Sequence, residues 1–354
     1  MDRLSCGIYF ESYEKDMALV QTKTAWAVYV VFLFALFLLP FIAPHRIISM
    51  VSMIGISVIA VQGLHILTGY CGQFSLGHSA FMAVGAYASA LLVTSLSFPF
   101  WLALICASLV SGIVGIIFGL TSLRMKGFYL ILATVAAHSI LVEFLPFQLA
   151  EITGGGDGLD VPPPKIGNLV LQSEAQKYFL IMGLAVLTTV LVTNILRTKA
   201  GRAFVAIRDN DLAASVMGVN VSGYKLLAFF LSCLLAGLAG SLYVSYMGHV
   251  TPEFFTMHMS IWYLGMIIIG GMGSTSGAVL GTVFLSVLTE LTIEIVPLVG
   301  KVVPYLSSSA SATLNLLVPG IAIIFFLIFE PRGLYHRWWM VKAYFKLWPY
   351  SLQK

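Results

Sequence analysis

The side chains best placed to do chemistry are the few ionisable ones inside apolar runs: His65, His138, Glu143, Glu290 and Glu294. A charge at the centre of hydrocarbon costs about 3 kcal/mol on insertion scales, so each is a functional candidate by default. Glu290 and Glu294 are one helical turn apart and share a face, where they can bind an ammonium group or a basic side chain of a partner. Glu143 and Glu294 fall near helix ends and can instead reach water. The spacing of His138 and Glu143 does not put both on one helical face, so no proton relay is expected within that helix.

A second group of candidates breaks an apolar pattern rather than charging it. Gly69, Gly72 and Gly77 enclose Gln73 and Ser75 and are followed by His78. A glycine-rich break at a helix end can expose backbone N–H groups, and the positive end of a helix dipole can then face a substrate carboxylate. Such backbone is tolerated at membrane depth only beside protein or a water-filled cavity. The other reading is a tight turn between helices, with small residues for close packing. Gly270, Gly271 and Gly273 invite the same two readings.

Other chemistries leave no trace. The sequence has no G-x-x-x-x-G-K-[S/T] phosphate loop, so ATP hydrolysis by that route is not expected of this chain. H-E-x-x-H, G-x-S-x-G and C-x-x-C are also missing, and Cys6, Cys71, Cys106 and Cys233 lack metal-ligand spacing. No catalytic residue, metal or bound cofactor is expected.

These candidates are set in 354 residues of which 59% are hydrophobic and 10% charged, with a mean hydropathy of +0.95. Soluble domains carry about 45–50% apolar and about 25% charged residues. A water-facing surface built from so few charges would carry large apolar patches. A soluble enzyme, a disordered chain and a coiled coil are excluded. The composition specifies an all-α, polytopic membrane protein, read as a single transmembrane domain over residues 1–354.

A bilayer core takes roughly 20 apolar residues per helix. About ten such runs can be read, at residues 25–43, 47–67, 73–94, 98–121, 127–147, 177–196, 225–248, 259–272, 277–297 and 314–330. The positive-inside rule orients them. Arg197, Lys199, Arg202, Arg208 and Lys225 share one connection, 197–225. Arg332, Arg337, Lys342, Lys346 and Lys354 follow the last run, and Arg124 and Lys126 lie in the short loop Ser122–Lys126. An even number of spans separates each pair, which puts all three in the cytoplasm together with both termini. Residues 1–24 are mixed in charge without a signal-peptide core. Residues 331–354 form a basic tail with Trp338, Trp339 and Trp348, suited to an interfacial anchor. The 148–176 loop then lies outside, with Glu151, Asp157, Asp160 and Glu174 against Lys165 and Lys177. The net charge of +4 is thus directed at the anionic cytoplasmic leaflet, not at nucleic acid.

Within the basic connection, Asp209 or Asn210 can N-cap a short helix, Asp211 suits its first turn, and Gly218 stands where a C′ glycine belongs. A two-turn helix over Asn210–Met217 follows. Leu212 and Val216 share its apolar face, and Ala213 and Ala214 let another protein approach the backbone closely. A helix this short is marginal alone, so it rests either on a partner or on the bilayer surface.

Ala213-Ala214 with Gly218 resembles the E-A-A-x-x-x-G loop of ABC importer permeases, with Leu212 where the glutamate would stand and Asp211 one place earlier. The longer stretch Gly201–Asn220 resembles the branched-chain amino-acid branch, G-R-A-x-x-A-I-R-x-x-E/D-x-A-A-x-x-x-G-x-N. Gly69–Phe81 resembles its G-Y-x-G-Q-x-S-L-G-H-x-A-F stretch, Thr153–Leu159 its T-G-G-x-D-G-L loop, and Ile269–Ser274 its I-G-G-x-G-S stretch. The chain therefore resembles LivM-type permease subunits of branched-chain amino-acid ABC importers.

That resemblance implies the importer permease fold in a bacterial inner membrane. It implies a second permease subunit in a heterodimer, two cytoplasmic ABC ATPase subunits and an extracytoplasmic substrate-binding protein, with ATP used by the partners. Arg208, Asp209, Asp211, Leu212, Ala213, Ala214 and Gly218 become the ATPase-coupling set. Gly72, Gln73, Ser75, His78, Glu143 and Glu290 become the translocation-path candidates. Urea, short amides or another small solute are alternative cargoes. A stand-alone proton-coupled carrier would need a titratable relay that the sequence does not display.

Overall fold

Backbone in hydrocarbon must satisfy its own hydrogen bonds, and apolar runs of this length do so as helices. A computed structural model of the chain describes residues 23–123, 125, 127–166, 169–302, 308–330 and 332–347. Helix α1 covers Lys23–Ile42, and α2, His45–Leu64, runs on as a π-turn over His65–Tyr70. After a non-helical stretch come α3 (His78–Thr94), α4 (Phe100–Ser122) and α5 (Phe128–His138), the last also extended by a π-turn, Ser139–Phe144. Short helices α6 (Leu145–Gln148) and α7 (Ala150–Thr153) lead to β1 (Leu159–Asp160) and to a hairpin of β2 (Lys165–Ile166) with β3 (Leu169–Val170). Next are α8 (Glu174–Arg197), α9 (Lys199–Asp209), α10 (Asp211–Val216) and α11 (Val221–Met247). Strand β4 (His249–Val250) pairs antiparallel with β1, and α12 (Met257–Gly270), α13 (Thr275–Val302), α14 (Ser308–Phe329) and α15 (Gly333–Leu347) follow.

Each of the ten expected runs falls on a helix. Among the described residues, seven helices are long and apolar enough to cross a bilayer, or eight if the stretches of α14 and α15 are joined. Trp26–Ile42 of α1 and the whole of α3 are shorter. The third run differs most from expectation, because it is helical from His78 and not from residue 73. The expected cytoplasmic residues 1–22, Arg124, Lys126 and the tail beyond Leu347, including Trp348 and Lys354, lie outside the described residues.

The core centres on α11, which packs against α2, α3 and α4. Small residues bring these backbones together: a Cβ on Gly85 would lie 2.3 Å from the Gly237 Cα, and one on Gly240 would lie 1.9 Å from the Met82 carbonyl oxygen. Lipid offers no hydrophobic drive between helices, so close contact and interhelical hydrogen bonds replace it. The Ser111 hydroxyl of α4 accordingly sits between the carbonyls of Phe81 (2.7 Å) and Cys233 (2.9 Å). Gly240→Ala should force α3 and α11 apart and cost about 2 kcal/mol as overpacking. A melting temperature several degrees lower in detergent is the expected readout, and an unchanged one would contradict the crossing.

Two sets of four helices share one plan in opposite directions. In each, a long helix ends in Tyr-x-Gly with the glycine left-handed: Tyr70-Cys71-Gly72 (φ +71°) closes α2, and Tyr246-Met247-Gly248 (φ +77°) closes α11. Each is followed by a stretch outside α-helix, which after Gly248 includes a 3-10 turn at Pro252–Phe254 that extends α12 to the span-length segment Pro252–Gly270, then by a short α-helix and two more helices: α3, α4 and α5 in one set, α12, α13 and α14 in the other. α2 and α11 run in opposite senses, since α2 starts where His45 meets Glu174 (3.1 Å) and α11 starts where Lys225 meets Asp211 (3.4 Å). Such inverted-topology sets place their broken helices at the functional centre of many transporters.

The non-helical stretch after Gly72 runs back into the fold. His78 Nε2 lies 2.8 Å from the Ala60 carbonyl oxygen, and Ala60 stands ten residues, about 15 Å, from the Tyr70 end of α2. Ser260, ten residues from the Gly270 end of α12, reaches the same depth: its hydroxyl accepts the Ser79 backbone N–H at 2.9 Å. The N-terminal turns of the two short helices therefore meet roughly midway along the long ones.

Candidate functional site

The basic connection folds as the sequence demands. Thr198 accepts the Ala200 N–H at 3.2 Å and caps α9. The Asn210 side chain accepts the N–H groups of Leu212 and Ala213, both at 3.0 Å, and caps α10, so Asn210 and not Asp209 is the cap. Gly218 follows the helix at φ +82°, the left-handed C′ position expected of it. Asp211 adds a favourable charge to the first turn and holds Lys225. The helix is thus tied to the start of α11.

Its faces divide unequally. Leu212, Val216 and Met217 are 70%, 86% and 83% exposed, while Ala214 is buried against the fold. Of the two alanines expected to admit a partner, Ala213 is exposed and Ala214 points inward. An apolar cluster on a capped, charged loop is the kind of patch that marks an interaction surface.

Arg208 connects this loop to the spans. Its Nη1 donates to the Gly69 carbonyl at 3.1 Å, and Nε and Nη2 both donate to Asp209 Oδ1 at 3.1 Å. Gly72 lies against its aliphatic stem, where an added Cβ would come within 2.9 Å of Cγ. Gly273 (φ +92°), in the turn between α12 and α13, lies against its guanidinium, with an added Cβ 3.3 Å from Nη1. One arginine thus touches one glycine turn in each helix set. A cavity of about 360 Å³ opens beside it, lined by Cys71, Gln73, Leu130, Ile207, Asp211 and Lys225 among others.

Met125 and Gly127 line that same cavity, and a Cβ on Gly271 would meet the Arg332 carbonyl at 2.9 Å. The three basic segments assigned to one side by charge therefore gather at one end of the helices.

The path candidates separate into three places. Gly72, Gln73, Ser75 and His78 lie together in the break after α2, with Gln73, Ser75 and His78 buried. The segment starts at the Arg208 end and climbs to mid-depth, so it is more than a tight turn. Thr68 Oγ1 donates to the Gln73 carbonyl at 3.1 Å, and Thr134 Oγ1 accepts the Leu76 N–H at 3.1 Å. Glu143 is exposed on the π-turn after α5. Glu290 lies near the far end, where Arg46 donates to it at 2.9 Å and to Glu294 at 3.1 Å. The basic partner expected for this carboxylate pair is in the same chain.

Sequence reasoning passed over Arg46, Ser79 and Ser260. The hydroxyls of Ser79 and Ser260 are 2.8 Å apart, and Ser79 Oγ is 3.3 Å from His138 Nδ1, all three residues being buried. The repeated Tyr-x-Gly and the shortness of the eighth run were the available signals for this junction.

A polytopic helical protein with paired broken helices and a capped, apolar loop helix at its basic end belongs to the class of membrane transport permeases. The profile of the family described as branched-chain amino acid transport system permease component matches residues 46–327, and the chain belongs to that family. It is 31% identical over 299 residues to the high-affinity branched-chain amino acid transport system permease protein LivM of Salmonella typhimurium, covering 78% of this chain and 67% of the relative. The Escherichia coli LivM is 31% identical over 276 residues, covering 71% and 65%. The chain thus spans about two thirds of the length of these relatives. An autoinducer 2 import system permease protein, LsrC of an Enterobacter species, is 38% identical over 112 residues, covering 30% of this chain and 33% of the relative. No solved structure matches the chain.

Proposed function

We infer that this chain is a pore-forming subunit of an ATP-driven importer that moves branched-chain amino acids inward across a bacterial inner membrane. ATP is hydrolysed by two separate cytoplasmic subunits, a second permease completes the pore, and a substrate-binding protein delivers cargo on the opposite side. The observation that carries this reading is α10, with Leu212, Val216 and Met217 outward and Arg208 of the adjoining α9 touching Gly69, Gly72 and Gly273.

In this mechanism the basic end faces the cytoplasm, as the positive-inside rule requires. The ATPase subunits grip α10, and their closure displaces α9 and α10 together. Arg208 passes that displacement to the two glycine turns, so both short helices tilt about the Ser79–Ser260 junction. Rocking one helix set against the other about a fixed centre is how inverted folds alternate access.

Purification with the products of the neighbouring genes tests this. An ATPase subunit should co-elute in fixed proportion, and reconstituted vesicles should accumulate leucine only when ATP is supplied. Leucine uptake without an ATPase would overturn the reading. A second cargo is suggested by the similarity to LsrC, an autoinducer 2 import system permease protein. Competition by that solute, with no competition by leucine or isoleucine, would replace the cargo and keep the mechanism.

A further inference from the structure

We propose that the crevice between α2, α12 and α13 is a transit site for one zwitterionic amino acid with an aliphatic side chain. The proposal deepens the importer reading and rests on it. The crevice holds about 410 Å³, within the range of roughly 300–1,000 Å³ that small-molecule sites occupy. From α2 it takes Arg46, Ser49, Met50, Met53, Ile54 and Ser57, a run at 3.6-residue spacing that forms one continuous face. Arg46 to Ser57 is eleven residues, about 16 Å, so the crevice descends from the far end to mid-depth.

Its two ends differ in chemistry. At the mouth, Arg46 is shared between Glu290 and Glu294, and both of its bonds to Glu290 go to Oε1, at 2.9 and 3.2 Å. One guanidinium against two carboxylates leaves one negative charge in excess, which an α-ammonium group neutralises. The same guanidinium presents a cation to the α-carboxylate. Lower down, Met53, Met259, Trp262 and Met266 supply an apolar wall. Methionine is unbranched and polarisable, so such a wall refits around branched side chains of different shape. At the floor, Tyr263 stands edge-on to His78, with ring centroids 6.3 Å apart, and its hydroxyl lies 3.6 Å from Met82 Sδ. Tyr263 is three residues beyond Ser260, so the floor adjoins the junction of the two short helices. A ligand resting there touches the elements that Arg208 moves.

A lipid chain or a helix of another subunit would suit an apolar groove, but neither needs the ionic mouth or the hydroxyls of Ser49, Ser57, Ser286 and Thr289 along the walls. The test uses Ser286→Cys in the assembled transporter, labelled by a membrane-impermeant thiol reagent and read by mass spectrometry at position 286. Millimolar L-leucine should slow labelling about tenfold, as for a site about nine-tenths occupied. 4-Methylpentanoate, which has the same side chain and carboxylate without the ammonium, should not slow it. Glu290→Gln should remove the protection while the complex still assembles. Equal slowing by both compounds, protection that survives Glu290→Gln, or labelling blocked whatever is added would overturn the proposal. Wild-type leucine uptake is measured in parallel. Uptake without protection removes this site alone, whereas ATP-independent or absent uptake removes the importer reading.

Discussion

Replacing Leu212 and Val216 together by aspartate should lower ATP-driven uptake by about a hundredfold or more, because apolar anchors at the centre of an interface are worth about 2–4 kcal/mol each. Both side chains are exposed, at 70% and 86%, so the substitutions bury no charge in the isolated chain. Its own fold should therefore survive. The cap is also preserved, since the Asn210 side chain bonds to the backbone N–H groups of Leu212 and Ala213 and not to their side chains. The loss should appear as failure of the ATPase subunits to co-purify, with normal amounts of permease in the membrane. The measurement separates the two readings of this helix. A segment lying on the anionic bilayer surface would lose lipid contact on acquiring two acidic groups but would still bring the ATPase with it. Co-elution of ATPase at the wild-type ratio would sink the docking assignment.

Leu212 and Val216 share a face by their spacing alone, whereas the position of Ala214 could not be read from the sequence. A two-turn helix carries small and apolar residues all round, and its sequence alone does not say which face is covered. The covering is decided by Asp211, which reaches Lys225 at the start of α11, and by the Ala214 carbonyl, which accepts the Val219 N–H as the chain turns back. These contacts turn Ala214 inward and leave Ala213 outside. The spans were legible for the opposite reason. Hydrocarbon imposes one solution on twenty apolar residues, and charge counting groups the basic segments at one end without knowledge of packing. Legibility failed where placement depends on long-range return of the chain. The break at Gly72 could be seen as a break, but its climb to Ala60 depends on packing against α5 and α12. Ser79 and Ser260 are separated by 181 positions and Arg46 and Glu290 by 244, and no local pattern links such pairs. Glu290 was found because a carboxylate in an apolar run is costly. Arg46 was missed because it sits at a helix start, where a charge costs little.

The second large effect is expected at Arg208. Its hydrogen bond to the Gly69 carbonyl is charge-assisted, and such bonds contribute about 1.5–3 kcal/mol, or roughly a ten- to hundredfold change in an equilibrium. Arg208→Ala should leave α10 presented and the ATPase bound, because neither the cap at Asn210 nor the apolar face involves this side chain. It should nevertheless reduce uptake by about ten- to a hundredfold while ATP hydrolysis by the complex continues. Arg208→Lys tests whether charge alone suffices. An ammonium can reach either Asp209 or the Gly69 carbonyl, but it lacks the planar fork that meets both at once, so it should restore uptake only in part. Gly72 adds an independent arm, since its φ of +71° and its contact with the arginine stem leave no room for a side chain. Gly72→Val should reproduce the uncoupling with Arg208 intact. If Arg208→Ala lowered ATPase binding and uptake in parallel, the arginine would belong to the docking surface, and transmission to the glycine turns would have to run through other residues. If hydrolysis persists while uptake is lost, the energy is reaching α10 and stopping there, which places the transmission step at the contact between Arg208 and the two turns.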